Sequence, residues 1–92
     1  MNIELKDGTS IGVYRMYKSY DISNSQIRLN VELANGADPE DMIHMDFSEF
    51  ALKRDGLADK AFEGFVLEDV SENYDDRSTS VSLTLTKEIA SA

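Results

Sequence analysis

The clearest pattern along the chain is an alternation of apolar and polar residues in two segments. Apolar side chains occupy every second position in Gln26 to Leu33 and again in Ser78 to Lys87. Because successive side chains of a β-strand point to opposite faces of a sheet, this period of two predicts two strands that are buried on one face only. In the first strand we expect Leu29 and Val31 in the core and Arg28 on the exposed face.

The first 34 residues are typical of a three-stranded antiparallel meander. β-Branched, aromatic and aliphatic residues fall in three runs, and turn-forming residues separate these runs. An Asp-Gly pair lies between the first two runs, as in many hairpins. The predicted elements are strands at residues 3–5, 11–20 and 26–33, with turns at residues 6–9 and 21–25.

The second predicted strand, residues 11–20, has large apolar side chains at both odd and even positions. Regular alternation places Tyr14, Met16 and Tyr20 on one face and Tyr17 on the other. We therefore expect this strand to be covered on both faces for part of its length.

Residues 38–47 fit two different structures. Asp38 suits a helix N-cap, Pro39 suits the first helical position, and the acidic residues that follow suit the positive end of the helix dipole. These features predict a short helix over residues 39–46. In contrast, the apolar residues at every second position of residues 43–47 are typical of a strand. We favour the helix, and the sequence leaves the strand open.

The rest of the chain completes a single domain. We predict a short strand at residues 49–53, a turn at 54–56, an apolar strand at 62–70, a polar connection at 71–77 and a strand at 78–87, with fraying over 88–92. The resulting fold class is α+β, with one domain over residues 1–92. Its mostly antiparallel sheet has five or six strands, is curled around one face and carries one short helix.

Charge is segregated along the chain. Basic and acidic residues balance over residues 1–35, whereas residues 36–92 contain five basic and fourteen acidic residues and carry the entire net charge of −9. Such a field repels phosphate backbones and anionic lipids, so we expect no direct binding of nucleic acid or of a membrane. The plain interpretation is that this charge keeps a small domain soluble, and the sharper one is an acidic face that meets a basic partner.

The chain contains no cysteine, which excludes disulfides and thiolate metal sites. The N-terminal residues have no basic segment followed by an apolar one, so we expect no signal peptide. No apolar run approaches the roughly 20 residues of a membrane-spanning helix. A cytoplasmic location is therefore the expectation.

Residues suited to catalysis are scarce. His44 is the single histidine, the glycines are scattered singly, and no serine lies in an elbow motif. We therefore expect a protein that is not an enzyme and that has no cofactor and no zinc site. Two oxygen-rich segments, which begin at Asp21 and Asp69, approach the spacing of a calcium loop, but both lack the glycine required at the sixth position. Solvated turns are the preferred interpretation of both.

The remaining candidate chemistry is that of protein contacts. Tyrosine and arginine are enriched at protein interfaces, whereas a tyrosine platform for single-stranded nucleic acid needs a basic groove that this sequence does not indicate. Acidic pairs supply the other candidate contacts. The candidate interaction residues are Tyr14, Tyr20, Arg28, Glu68, Asp69, Asp75 and Asp76.

Three segments carry a resemblance to a known group of proteins. They are Ile-Glu-Leu-Lys-Asp-Gly at residues 3–8, Phe-Glu-Gly-Phe at residues 62–65 and Val-Ser-Leu-Thr-Leu-Thr-Lys at residues 81–87. In these segments the chain resembles small accessory proteins encoded in prophages and tailed phages of Gram-positive bacteria. That group includes virion components, so the resemblance implies an assembly or interaction role, a virion as an alternative location, and no particular site residues.

We therefore expect a non-enzymatic interaction or structural module that acts through protein–protein contacts. Its partner is another protein or a second copy in a homo-oligomer, because a sheet of this size has edges that a partner can cover. The alternative is an acidic decoy that imitates DNA and occupies a nucleic-acid-binding protein. The fourteen acidic residues among residues 36–92 motivate this alternative.

Overall fold

The computed structural model describes residues 1–89 and contains one antiparallel sheet and one short helix. In chain order the elements are β1 (Asn2–Leu5), β2 (Ser10–Asp21), β3 (Gln26–Leu33), α1 (Pro39–Ile43), β4 (Glu49–Lys53), β5 (Lys60–Glu63), β6 (Val66–Tyr74) and β7 (Thr79–Glu88). The mostly antiparallel sheet and the single short helix are confirmed. The predicted count of five or six strands is wrong, since the sheet has seven. Of the predicted fraying segment, residues 90–92 lie outside the described residues.

The strand order across the sheet is β5-β4-β1-β2-β3-β7-β6, and the sheet does not close. Strand β2 joins its two halves, because residues 10–12 pair with β1 and residues 13–21 pair with β3. The predicted meander of the first three strands is confirmed. The open sheet leaves β5 at one edge and β6 at the other.

The core lies on one face of this sheet. Ile3, Leu29 and Leu85 are fully buried, and Leu29 lies directly opposite Leu85 across β3 and β7. Burying one such side chain stabilises the fold by roughly 1.5–3 kcal/mol. Residues of both halves of the sheet form a single apolar cluster. At the β4–β5 end, Phe50 and Phe62 stack with their ring centroids 5.1 Å apart.

Helix α1 confirms the capping prediction but is shorter than expected. The Asp38 side chain accepts a hydrogen bond from the backbone N–H of Glu40 at 3.0 Å, as an N-cap does. The helix ends at Ile43 rather than at residue 46, and Met42 is its buried residue. The strand alternative for this segment is wrong. The helix packs against β6, which brings it close to one edge of the sheet.

The predicted strand at residues 62–70 is two strands, and the predicted polar connection at 71–77 begins as part of β6. Gly64 has a φ of +80°, a left-handed conformation that redirects the chain between β5 and β6. Its backbone N–H donates to the carbonyl of Ser48 at 2.8 Å. Since β6 is an edge strand with exposed polar side chains, hydrophobic alternation does not reveal its second half.

The pairing confirms that Met16 and Tyr20 share one face of β2 and that Tyr17 lies on the other, but the predicted face of Tyr14 is wrong because the strand contains a β-bulge. Val13 pairs with Leu33 and Arg15 pairs with the next residue, Glu32, so Tyr14 is an extra residue in the ladder. Beyond the bulge the alternation is shifted by one residue. The strand is not covered on both faces there, since its three tyrosines are 59 to 70% exposed.

Candidate functional site

The face of β2, β3, β7 and β6 opposite the core is lined by polar side chains, and we call it the polar face. Cross-strand partners share a face of the sheet, so the ladders place these side chains in rows that cross all four strands. One row contains Arg15, Glu32, Ser82 and Ser71, and the next contains Tyr17, Asn30, Thr84 and Asp69. Most side chains of the two central strands are half-buried here, which gives the face a defined shape.

Two adjoining grooves lie on the polar face. The first groove has a volume of about 350 Å³ and is lined by residues of both rows, including Tyr17 and Asn30. The second groove, of about 380 Å³, is lined by Tyr14, Glu32 and Asp75 among others. Glu32 lines both grooves, so the two grooves adjoin at this residue.

Arg15 forms an ion pair with Glu32 and lies over the ring of Tyr14. Its Nε and Nη2 atoms donate to the same Glu32 oxygen at 3.2 and 3.0 Å. The guanidinium carbon of Arg15 also lies 5.8 Å from the centroid of the Tyr14 ring, within the range of a cation–π contact. Since Glu32 lies on the neighbouring strand β3, this ion pair joins the two strands, and the Arg15 side chain stays largely exposed.

The structure brings together two of the residues predicted as interaction sites, Tyr14 and Asp75, which line the second groove. Asp75 also organises the turn between β6 and β7, because its carboxylate accepts from the backbone N–H groups of Arg77 and Ser78 at 2.8 and 2.7 Å. These hydrogen bonds favour the charged form and hold the pKa of Asp75 below its ordinary value of 3.8. Asp76 lies at the exposed part of the same turn.

Tyr20 and Arg28 lie on opposite faces of the sheet. Tyr20 pairs with Ile27 on the side of the core, and the Lys18 ammonium lies 5.2 Å from its ring centroid. Arg28 pairs with Ser19 on the polar face and is half-buried. Its Nε atom is buried and has no hydrogen-bond partner within the described residues. These two residues therefore do not form one site.

Glu68 and Asp69 lie on the edge strand β6. Asp69 pairs with Thr84 on the polar face, while Glu68 is the extra residue of a second bulge, between Leu67 and Asp69. Over residues 1–89, neither of these carboxylates forms an ion pair. The same part of the chain contains no group of three or more histidine or acidic side chains arranged to hold a metal ion.

The oxygen-rich turn that begins at Asp21 is held together by its own hydrogen bonds. The Asn24 side-chain amide and the Ser23 hydroxyl donate to the Asp21 carboxylate at 2.8 and 3.0 Å. These hydrogen bonds lower the pKa of Asp21, and the one from the Asn24 side chain has the largest effect. Asp21 therefore acts in the structure as the organising residue of the β2–β3 turn.

The predicted interaction residues do not include four residues at the centre of the polar face, namely Arg15, Tyr17, Asn30 and Glu32. The alternation of residues 26–33 nevertheless predicts that Asn30 and Glu32 lie on the same exposed face as Arg28, as they do. The aromatic and basic composition of residues 14–17 was a usable signal, but regular alternation assigns Tyr14 and Tyr17 to opposite faces. Only the ladder to β3 shows that Tyr14 is the inserted residue.

Compared with known proteins, the chain matches no family model, no curated protein and no solved structure. In residues 1–89 no helix is both long and apolar enough to span a membrane.

Proposed function

We propose that this protein is a non-enzymatic module that binds another protein through its polar face. One observation carries the proposal: the β2 bulge places Tyr14 and Tyr17, which are 70% and 60% exposed, beside the Arg15–Glu32 ion pair and the two grooves. Large aromatic side chains and arginine are the residue types that supply most of the binding energy at protein interfaces.

Preorganisation supports the same proposal. Arg15 is already paired with Glu32, which reduces the side-chain entropy that is lost when a partner covers it. The half-buried hydroxyl and amide groups of the central strands offer donors and acceptors around the tyrosines. An interface with an aromatic centre and a polar rim has this composition.

A capture experiment with matched variants tests the proposal. Wild type, Tyr14→Ala/Tyr17→Ala and Tyr20→Ala are used as bait in extracts of the source cells, with crosslinking and mass spectrometry. Tyr20 is the control because it is 59% exposed but lies on the other face. We expect wild type and Tyr20→Ala to recover the same partner and the double variant to lose it.

Two outcomes contradict the proposal at different levels. If the double variant retains the partner, the polar face is not the binding surface. If no bait recovers a partner, and light scattering after size-exclusion chromatography shows a monomer, the module has neither a protein partner nor a second copy and the proposed function fails.

The acidic decoy is a second candidate, and the carboxylates of β6 favour it. Three acidic residues lie along the edge strand β6, namely Glu68, Asp69 and Glu72. Within the described residues none of them forms an ion pair. If this chain imitates DNA, its affinity for the partner should fall steeply as the salt concentration rises. If neutralising Glu68, Asp69 and Asp76 leaves both the affinity and its salt dependence unchanged, the decoy is excluded. Asp75 stays intact in this test because it organises the turn.

The relationship to phage accessory proteins also stays a prediction. Gene neighbourhood tests it, since placement among genes for virion assembly would favour a structural role and a partner encoded nearby. Placement among unrelated metabolic genes would count against it.

A further inference from the structure

The outer edge of β6 offers backbone groups for strand pairing, and helix α1 packs against the same strand. Strand β6 is the last strand of the sheet, and all of its nine residues except the bulge residue Glu68 pair with β7 along one side. Within residues 1–89, no strand pairs with its other side. In an antiparallel edge strand, alternate residues direct their backbone N–H and C=O groups outward, where another extended segment can accept and donate hydrogen bonds.

The side chains along this edge differ between the two faces of the sheet. On the polar face, β6 presents Asp69, and Ser71 follows it. On the core side, Leu67 and Val70 are half-buried and line a shallow cavity of about 290 Å³ together with Ile43 of α1. The acidic residues Glu68 and Asp69 at the bulge line the same cavity, and Glu72 lies farther along this side, opposite Val81. A strand added here therefore places one set of alternate side chains against Asp69 and Ser71 and the other set against Leu67 and Val70.

Acidic residues dominate this edge. Glu68, Asp69 and Glu72 are all exposed, and the strand contains no basic residue. Pairing of β6 with β6 of a second copy brings these carboxylates close to one another, which costs free energy. The other edge strand, β5, has only four residues. The acidic edge of β6 therefore disfavours pairing with a second copy and favours a positively charged segment.

We propose that β6 binds an extended segment of another protein in which lysine or arginine alternates with an apolar residue, and that this segment adds to the sheet as an eighth strand. The proposal rests on the proposed function and names the chemistry of the partner. Backbone hydrogen bonds supply part of the affinity. The basic side chains lie near Asp69, and the apolar ones enter the cavity beside Ile43.

The test uses the full chain and a defined probe. The probe is a nine-residue peptide in which lysine and valine alternate, with acetylated and amidated ends. The matched control peptide has proline in place of each valine, so that the charge is kept and alternate backbone donors are removed. Binding is followed by amide chemical shifts and by hydrogen exchange of the β6 backbone.

We expect the lysine–valine peptide to slow the exchange of outward-facing β6 amides at least about tenfold, in the way that ladder hydrogen bonds protect amides. We expect the proline peptide to protect none of them. Asp69→Asn should weaken binding by roughly two- to fivefold, as expected for a single exposed charge contact on the polar face. Asp55→Asn, in the β4–β5 turn far along the sheet, should leave binding unchanged.

Equal binding of the two peptides would show an electrostatic contact without strand addition and would overturn the proposal. Absence of protection along β6 would overturn it as well. Failure here is distinct from failure of the proposed function, since the capture experiment depends on Tyr14 and Tyr17. If replacing Tyr14 and Tyr17 abolishes partner capture while β6 does not bind the peptide, the polar face remains the proposed interface.

Discussion

Tyr14 and Tyr17 extend from the same face of β2, although residues three apart in a regular strand point to opposite faces. The reason is the bulge, in which two residues of β2 oppose one position of β3. One extra residue thus exposes two aromatic side chains beside the same ion pair. Its removal is a direct test of the polar face.

Deletion of Tyr14 should remove the bulge and leave the rest of the β2–β3 ladder in register. Val13 and Arg15 already pair with consecutive residues of β3, so joining them restores regular alternation. We expect a folded protein whose free energy of unfolding changes by about 1 kcal/mol, within the usual range for single changes. Partner capture should be lost, because the aromatic pair is broken.

Deletion of Lys18 is the matched control. Lys18 lies within the regular part of the ladder, opposite Leu29, so its removal shifts the neighbouring residues to the wrong faces. We expect a much larger loss of stability than for deletion of Tyr14, measured by chemical denaturation. Equal losses would mean that Tyr14 is not the inserted residue.

Replacement of Leu29 by alanine should destabilise the protein by about 2–5 kcal/mol, since Leu29 is fully buried on the central strand β3. This is a large share of the stability of so small a domain. Arg28→Ala, on the polar face, should cost less than about 0.5 kcal/mol. Urea denaturation of both variants measures the difference. A defect of partner binding in a stable Arg28→Ala variant would extend the interface to the β2–β3 hairpin.

Replacement of Gly64 by alanine should destabilise the protein by about 1–3 kcal/mol, the usual cost of a left-handed backbone at a residue other than glycine. The φ of Gly64 is +80°, and an added Cβ lies 3.3 Å from Cε of Lys87. Gly64→Asn separates the two causes, because asparagine has the same Cβ but tolerates the left-handed conformation better. Equal thermal and chemical stability of the two variants would assign the cost to the contact with Lys87.

Replacement of Asp75 by asparagine should destabilise the protein in a pH-dependent way. Backbone N–H groups of Arg77 and Ser78 lower the pKa of Asp75 in the folded state below 3.8. Its stabilising contribution is therefore complete above that value and is lost as the pH falls through the lower folded pKa. The gap between wild type and Asp75→Asn in the free energy of unfolding should be largest at neutral pH and should shrink in acid.

The adjacent Asp76 supplies the control for this pH dependence. Within the described residues Asp76 accepts no hydrogen bond, so Asp76→Asn should have a small effect at every pH. Denaturant titrations at a series of pH values compare the variants. A gap for Asp75→Asn that stays constant with pH would mean that its carboxylate does not organise the turn.

The sequence by itself determined the elements whose type and buried face follow from residues that are close together in the chain. Regular alternation along residues 26–33 predicted β3 with its correct buried face, and the cap formed by Asp38 and Pro39 predicted the start of α1. The acidic charge of residues 36–92 was also evident without a structure. These features depend on the residue and its near neighbours, so a pattern along the chain is sufficient to find them.

The tertiary structure alone decided the bulge at Tyr14, the break at Gly64 and the position of β6 at an edge. Each of these features depends on how a strand pairs with a neighbour that is distant in the sequence. The alternation of side chains along a single strand does not show that a residue is inserted or that a neighbouring strand is missing. The polar face follows from the same pairing, since Arg15 and Glu32 meet only across the ladder. The candidate site was therefore visible as composition in the sequence, while its arrangement required the fold.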